Sequence, residues 1–218
     1  MQIDKRILTR NAQTDFERNL EQELLRTWGK LAQVINKGVG IDNFEEVWDD
    51  LRISGLSVRT NATAPDLITL GPSGGLLALG FDGAATTEQC YFAIQLPHGY
   101  KQGSDIYPHV HWCPVNANAG NVKWQLEYSW ANINEAFGAP TTIPVVAAAP
   151  GTEWKHTISS FAAISGTGKT ISSMLMCRLF RNPGDGSDTY GSDAAFLEFD
   201  FHYQIDALGS QLETTKLR

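Results

Sequence analysis

The stretch LEFDFHYQI, Leu197 to Ile205, decides the fold class. Apolar Leu197, Phe199, Phe201, Tyr203 and Ile205 alternate with polar Glu198, Asp200, His202 and Gln204, the period of two that marks a half-buried strand. VKWQLEYSW, Val122 to Trp130, repeats the pattern, with Val122, Trp124, Leu126, Tyr128 and Trp130 on one face. Working outward, strands are predicted at Leu67 to Leu70, Leu76 to Phe81, Cys90 to Leu96, Ile106 to Cys113, Thr141 to Ala147, Trp154 to Ser160 and Ser173 to Arg181. Gly, Pro, Asn and Asp clusters separate them. About nine short strands with no helical pattern between them predict a mainly β protein, a jelly-roll-like β-sandwich.

A different pattern precedes the strands. Residues 14 to 37 read as one α-helix, with a capping box at Thr14 and Glu17, Lys37 in the last turn and Gly38 at the C-terminal cap. Leu20, Leu24, Trp28, Leu31 and Ile35 fall on one stripe, and the last four have the spacing of a short coiled-coil seam. The expected organisation is therefore a helical anchor or oligomerisation segment over residues 1–47 and a β-sandwich over 48–218.

Composition narrows the function. With 17 Lys and Arg against 24 Asp and Glu the net charge is −7, which disfavours an electrostatic grip on nucleic acid or on an anionic membrane. No apolar run approaches the roughly 18 residues that a spanning helix needs. Met1-Gln-Ile-Asp-Lys-Arg leads into charge rather than an apolar leader, so a chain soluble where it is made is expected. Cys90, Cys113 and Cys177 are odd in number, widely spaced and flanked by apolar residues, which predicts buried thiols rather than disulfides or a zinc knuckle.

Gly168-Lys169-Thr170 matches the end of a nucleotide-binding P-loop. That loop needs glycine where this chain has Ala163, and it must open a helix, whereas Leu175, Cys177 and Leu179 alternate as in a strand. A Gly-rich turn feeding a strand is the better reading. Gly191-Ser192-Asp193 belongs to a turn rather than a nucleophile elbow. Carboxylates two apart on a strand, as Glu198 and Asp200 are, lie about 7 Å from each other, and no second acidic cluster supports glycoside hydrolysis. No catalytic set and no cofactor motif emerges, so a non-enzyme without cofactor is expected.

His109 and His111 are two apart on a strand and share a face, a candidate half-site for a metal. With Gly103 they resemble the start of the cupin metal motif, but Val115 or Asn116 stands where cupins carry glutamate. A cupin-like metal enzyme would need His202 with Asp200 or Glu198 from the last strand. The competing reading is a hydrogen-bonded histidine couple beneath Trp112, with Glu198, Asp200 and His202 forming a polar face solvated or paired with Lys123 and Arg178.

LPHGYKQGSDIYPHVHW (Leu96 to Trp112), VKWQLEYSWANI (Val122 to Ile133), GTGKTISSMLMCRLFRN (Gly166 to Asn182) and SDTYGSDAAFLEFDFHYQID (Ser187 to Asp206) resemble a group of tailed-bacteriophage virion structural proteins. The similarity spans most of residues 48 to 207, and a helix ahead of a β domain is similar to phage fibre and head-decoration proteins. The resemblance implies a homotrimer that is made in the bacterial host cytoplasm and assembles with capsid or tail proteins on the virion. It also implies that an H-x-H pair from each of three chains can surround one metal on the trimer axis. The alternative function is a carbohydrate-binding or receptor-binding module, contacting a host surface glycan through aromatics such as Trp124, Trp130 or Tyr190.

Overall fold

The computed structural model describes residues 17, 19–20, 22–30, 47–84 and 87–216. By its contacts the chain divides into two units, Met1–Glu45 and Glu46–Arg218. In the first, the described residues are helical, and Leu20, Leu24, Leu25 and Trp28 are exposed. Thr14, Leu31, Ile35, Lys37 and Gly38 lie outside the described residues.

The second unit is all antiparallel strand: β1 (Val47–Ser54), β2 (Arg59–Thr60), β3 (Asp66–Thr69), β4 (Leu77–Phe81), β5 (Gln89–Gln95), β6 (Ile106–Pro114), β7 (Asn121–Ala131), β8 (Thr141–Ala148), β9 (Thr157–Ser160), β10 (Met174–Arg181) and β11 (Ala194–Ile205). A six-stranded sheet runs β3-β4-β11-β6-β9 with β1 also on β11, and a five-stranded sheet runs β2-β5-β10-β7-β8. Their inner faces share one core, in which Phe92 meets Phe199 at 5.1 Å between ring centroids and Phe81 meets Trp124 at 5.0 Å. The mainly β, jelly-roll-like sandwich expected from the alternation is therefore the fold.

Two departures from the sequence reading have physical causes. β1 was not among the predicted strands because Asp49 and Asp50 interrupt its alternation, although Ile53 is buried in the core and Asp50 and Arg52 pair across to His202 and Asp200. Within β11, Leu197 does not join the main core. A register shift against β6 falls between Phe196 and Glu198, a β-bulge that leaves both Phe196 and Phe199 buried and puts Leu197 in a small separate cluster with Ala78, Cys113 and Ala195.

At the same level β1 gives way to β4 along the flank of β11. The chain leaves β1 through a 3-10 turn at Gly55–Ser57, and a Cβ on Gly55 would lie 2.9 Å from the carbonyl oxygens of Phe196 and Leu197. Only glycine lets the backbone pass that close.

One buried charge ties the sheets together. Arg181, at the end of β10 and fully buried, donates Nε to Asp188 Oδ2 at 2.9 Å and one Nη to Asp188 Oδ1 at 2.8 Å. The other Nη donates to the carbonyls of Phe81 at 2.9 Å and Ser192 at 2.7 Å. A buried guanidinium is tolerable only when its donors are matched in this way. Asp188→Ala is expected to cost about 3–5 kcal/mol of unfolding free energy, read from urea denaturation, because it leaves the buried cation unpaired.

Candidate functional site

The two outer faces of the sandwich carry different chemistry. On the six-stranded sheet, the bulge at Leu197 turns Glu198, Asp200 and His202 outward, and pairing with β6 sets Asp200 opposite His109 and Glu198 opposite His111. Folding thus brings together the H-x-H pair and the last strand. His109 Nδ1 lies 3.0 Å from Asp200 Oδ1, and His111 Nε2 lies 3.0 Å from Asp200 Oδ2. The couple is bridged by a carboxylate, and it lies on the face opposite Trp112, whose ring is fully buried in the core and donates to Ser159 Oγ at 2.8 Å.

Burial alone would push the Asp200 carboxyl up, but the hydrogen bond from His109 and the fields of His111 and His109 outweigh it and hold it below the usual range. The other polar residues pair locally rather than with Lys123 and Arg178. Arg52 grips Glu198 bidentately at 2.7 and 3.0 Å, and His202 Nδ1 meets Asp50 Oδ1 at 2.7 Å. Trp48 stacks on His202 at 4.8 Å between ring centroids. Among the described residues, no group of three or more His, Cys, Asp or Glu is arranged to hold a metal ion.

Other sequence candidates fall into place. Lys169 N donates to Gly166 O in a turn with Gly168 at φ +75°, and β10, not a helix, follows. All three cysteines are free and buried, and burial pushes the thiols of Cys90 to about 12 and Cys113 to about 11, far from thiolate reactivity. Trp124, Trp130 and Tyr190 cannot be stacking platforms, because they are 0%, 9% and 0% exposed: the two tryptophans point inward from β7, and Tyr190, between β10 and β11, packs into the same core.

The five-stranded sheet instead presents a trough that no sequence motif marks. Strand register lays Arg59, Tyr91, Arg178, Glu127 and Thr142 in one row across all five strands. Ala93, Met176 and Ser129 form the adjacent row. All of these but Thr142 line an open cavity of about 460 Å³, within the range of small-ligand sites. Arg178 is held flat in it: its guanidinium lies 4.3 Å from the Phe180 ring, and its Nη atoms donate to Gln89 Oε1 at 2.9 Å and Glu127 Oε1 at 3.2 Å. Asn61 Nδ2 donates to the Tyr91 hydroxyl at 3.0 Å, which fixes that ring in the same row. The outward residues of VKWQLEYSW and SSMLMCRLFR hinted at this face, but the order β5-β10-β7 that joins them is not written locally.

No protein-family model matches this chain, and no curated protein matches it in sequence. Solved structures match in architecture. The CBM36-1 domain of a multidomain xylanase from the hindgut metagenome of Trinervitermes trinervoides aligns at 12% identity and TM-score 0.42, covering 70% of this chain and 96% of that one. CBM35 from Cellvibrio japonicus Abf62 aligns at 8% identity and TM-score 0.43, covering 73% and 99%. The infectious bursal disease virus Gx strain structure aligns at 6% identity and TM-score 0.38, covering 75% and 33%. Likeness at this level describes layered strands and says nothing of a ligand.

At one end of the sandwich, Glu88 accepts the Asp82 backbone N–H at 2.6 Å. Burial, with the neighbouring charges of Asp82, Asp66 and Asp193, pushes its carboxyl up to about 7. A carboxyl raised in the folded state contributes stability that is present below its unfolded value near 4.5 and is lost as pH rises through about 7. Glu88→Gln should flatten that loss, by roughly 2 kcal/mol once solvent screening of this partly exposed carboxyl is allowed for, read as unfolding free energy at pH values on either side of the window.

Proposed function

We propose that this chain is a non-enzymatic glycan-binding β-sandwich whose ligand lies in the trough of the five-stranded sheet. The observation that carries this reading is the row of Arg59, Tyr91, Arg178 and Glu127 along an open, largely apolar cavity. A sugar offers both an apolar C–H face and a ring of hydroxyls. Tyr91 and Met176 suit the first, while the planar, pre-positioned Arg178 and Glu127 suit the second. Because Arg178 is already held by Phe180, Gln89 and Glu127, little side-chain freedom is lost on binding.

Arrays of soluble glycans, followed by affinity electrophoresis, test it. Tyr91→Ala and Arg178→Ala are each expected to weaken binding about tenfold, the equivalent of about 1.4 kcal/mol. A blank array, or a glycan retained equally by both variants, would refute the reading.

The exposed stripe of Leu20, Leu24 and Trp28 supports a second element: self-association through the N-terminal helix into a homotrimer that docks on other virion proteins. The sandwich would then be the projecting, ligand-facing part of a virion component. Removing residues 1–45 is expected to leave the β unit folded while mass by light scattering drops from about three times the 24.0 kDa subunit to a single shortened chain. A full-length monomer would defeat the trimer, and loss of the fold on truncation would defeat the separate anchor.

A further inference from the structure

Asp200, His111 and His156 form a chain of polar contacts across the outer face of the six-stranded sheet. Asp200 is only 6% exposed, and an ionised carboxylate only accepts hydrogen bonds, so His111 presents Nε2–H to its Oδ2. A neutral imidazole carries one N–H, which leaves a lone pair on His111 Nδ1. That lone pair faces His156 Nε2 at 2.8 Å, with the two rings 5.0 Å apart and inclined by 30°. His156 stands on the exposed segment just before β9, the strand that pairs with β6 beside His111.

We propose that His111 Nδ1 and His156 Nε2 are the two protein ligands of a site for a divalent transition metal of the Cu²⁺ or Ni²⁺ type, with Asp200 as the positioning residue. Two nitrogens about 2.0 Å from one cation and about 90° apart are separated by about 2.8 Å, whereas a tetrahedral angle would separate them by about 3.3 Å. The observed 2.8 Å is the length of an N–H···N hydrogen bond, and it is also the separation of adjacent corners of a square-planar or tetragonal site, so a cation can replace the shared proton without moving the rings apart. Asp200 does for His111 what outer carboxylates do for metal-bound imidazoles: it fixes the tautomer and the ring orientation. Without metal, His156 donates Nε2–H to His111 Nδ1; on metal binding its single proton moves to Nδ1, where it donates to solvent, and Nε2 is freed. Among the described residues no third His, Cys, Asp or Glu completes the set, so water or a bound anion takes the remaining positions. His109 plays no part in this site, since its Nδ1 is committed to the other oxygen of Asp200.

The test is titration of the full chain with CuCl₂ near neutral pH, by calorimetry and by electron paramagnetic resonance on the same samples. One Cu²⁺ per chain with the coupling pattern of two imidazole nitrogens in a tetragonal field is expected. His156→Ala, on an exposed segment, keeps the fold and should weaken binding by about tenfold or more and remove one nitrogen from the spectrum. Asp200→Asn should weaken it about tenfold with both nitrogens retained. His98→Gln should change nothing, because His98 bonds Ser172 Oγ and Ser210 O elsewhere. Binding weaker than about 1 mM, His156→Ala titrating like the parent chain, or equal losses in His98→Gln would overturn the proposal.

Discussion

The bulge at Leu197 is the constraint on which the rest of the sandwich depends. Strand alternation has a period of two, so one extra residue exchanges the faces of everything beyond it. With the bulge, Phe196 and Phe199 both enter the core, while Glu198, Asp200 and His202 turn to solvent beside β1 and β6. Without it, either Phe196 or the run of Phe199, Phe201 and Tyr203 would face water, and the carboxylate between His109 and His111 would point into the aromatic core. The bulge coincides with the passage of Gly55 over the carbonyls of Phe196 and Leu197, so the flank of β11 changes partner where its register changes.

The two outer faces then differ because of what each sheet must satisfy. On the six-stranded sheet the outward residues meet partners of complementary chemistry: Arg52 with Glu198, Asp50 with His202, Asp200 with two imidazoles. Those charged and imidazole groups are engaged with one another, with exposed Trp48, Tyr107 and Ile158 beside them. On the five-stranded sheet the outward rows mix apolar and planar polar groups over an open cavity, which leaves contact surface for a ligand. Arg178 illustrates the difference, since it is oriented by Phe180 beneath it while lying within the trough.

Much of the architecture was legible from alternation. The runs around Trp124 and Phe199 are strands, the Gly168-Lys169-Thr170 stretch is a turn before β10, and the three cysteines are buried. Less was legible where charge broke a pattern, as at Asp49 and Asp50 in β1. The alternation that put Trp124 and Trp130 on an apolar face already favoured core over a sugar platform, and they are buried, as is Tyr190. The H-x-H pair was visible because its two members are adjacent in sequence. Asp200, 91 residues away from His109, was one of three last-strand candidates to join it, and only strand register selected it over Glu198 and His202; His156, 45 residues away from His111, carried no signal at all.

By itself the sequence determined the class: a mainly β sandwich, with the inward faces of most strands and an apolar helical stripe ahead of them. Local periodicity is enough for that, because it reports which side of a segment must leave water. Only the tertiary structure decided which strands are neighbours, where β11 slips its register, and therefore which outward side chains share a row. Rows such as Arg59, Tyr91, Arg178 and Glu127 are set by hydrogen-bonded pairing between segments distant in the chain, and that pairing leaves no local trace in the order of the residues.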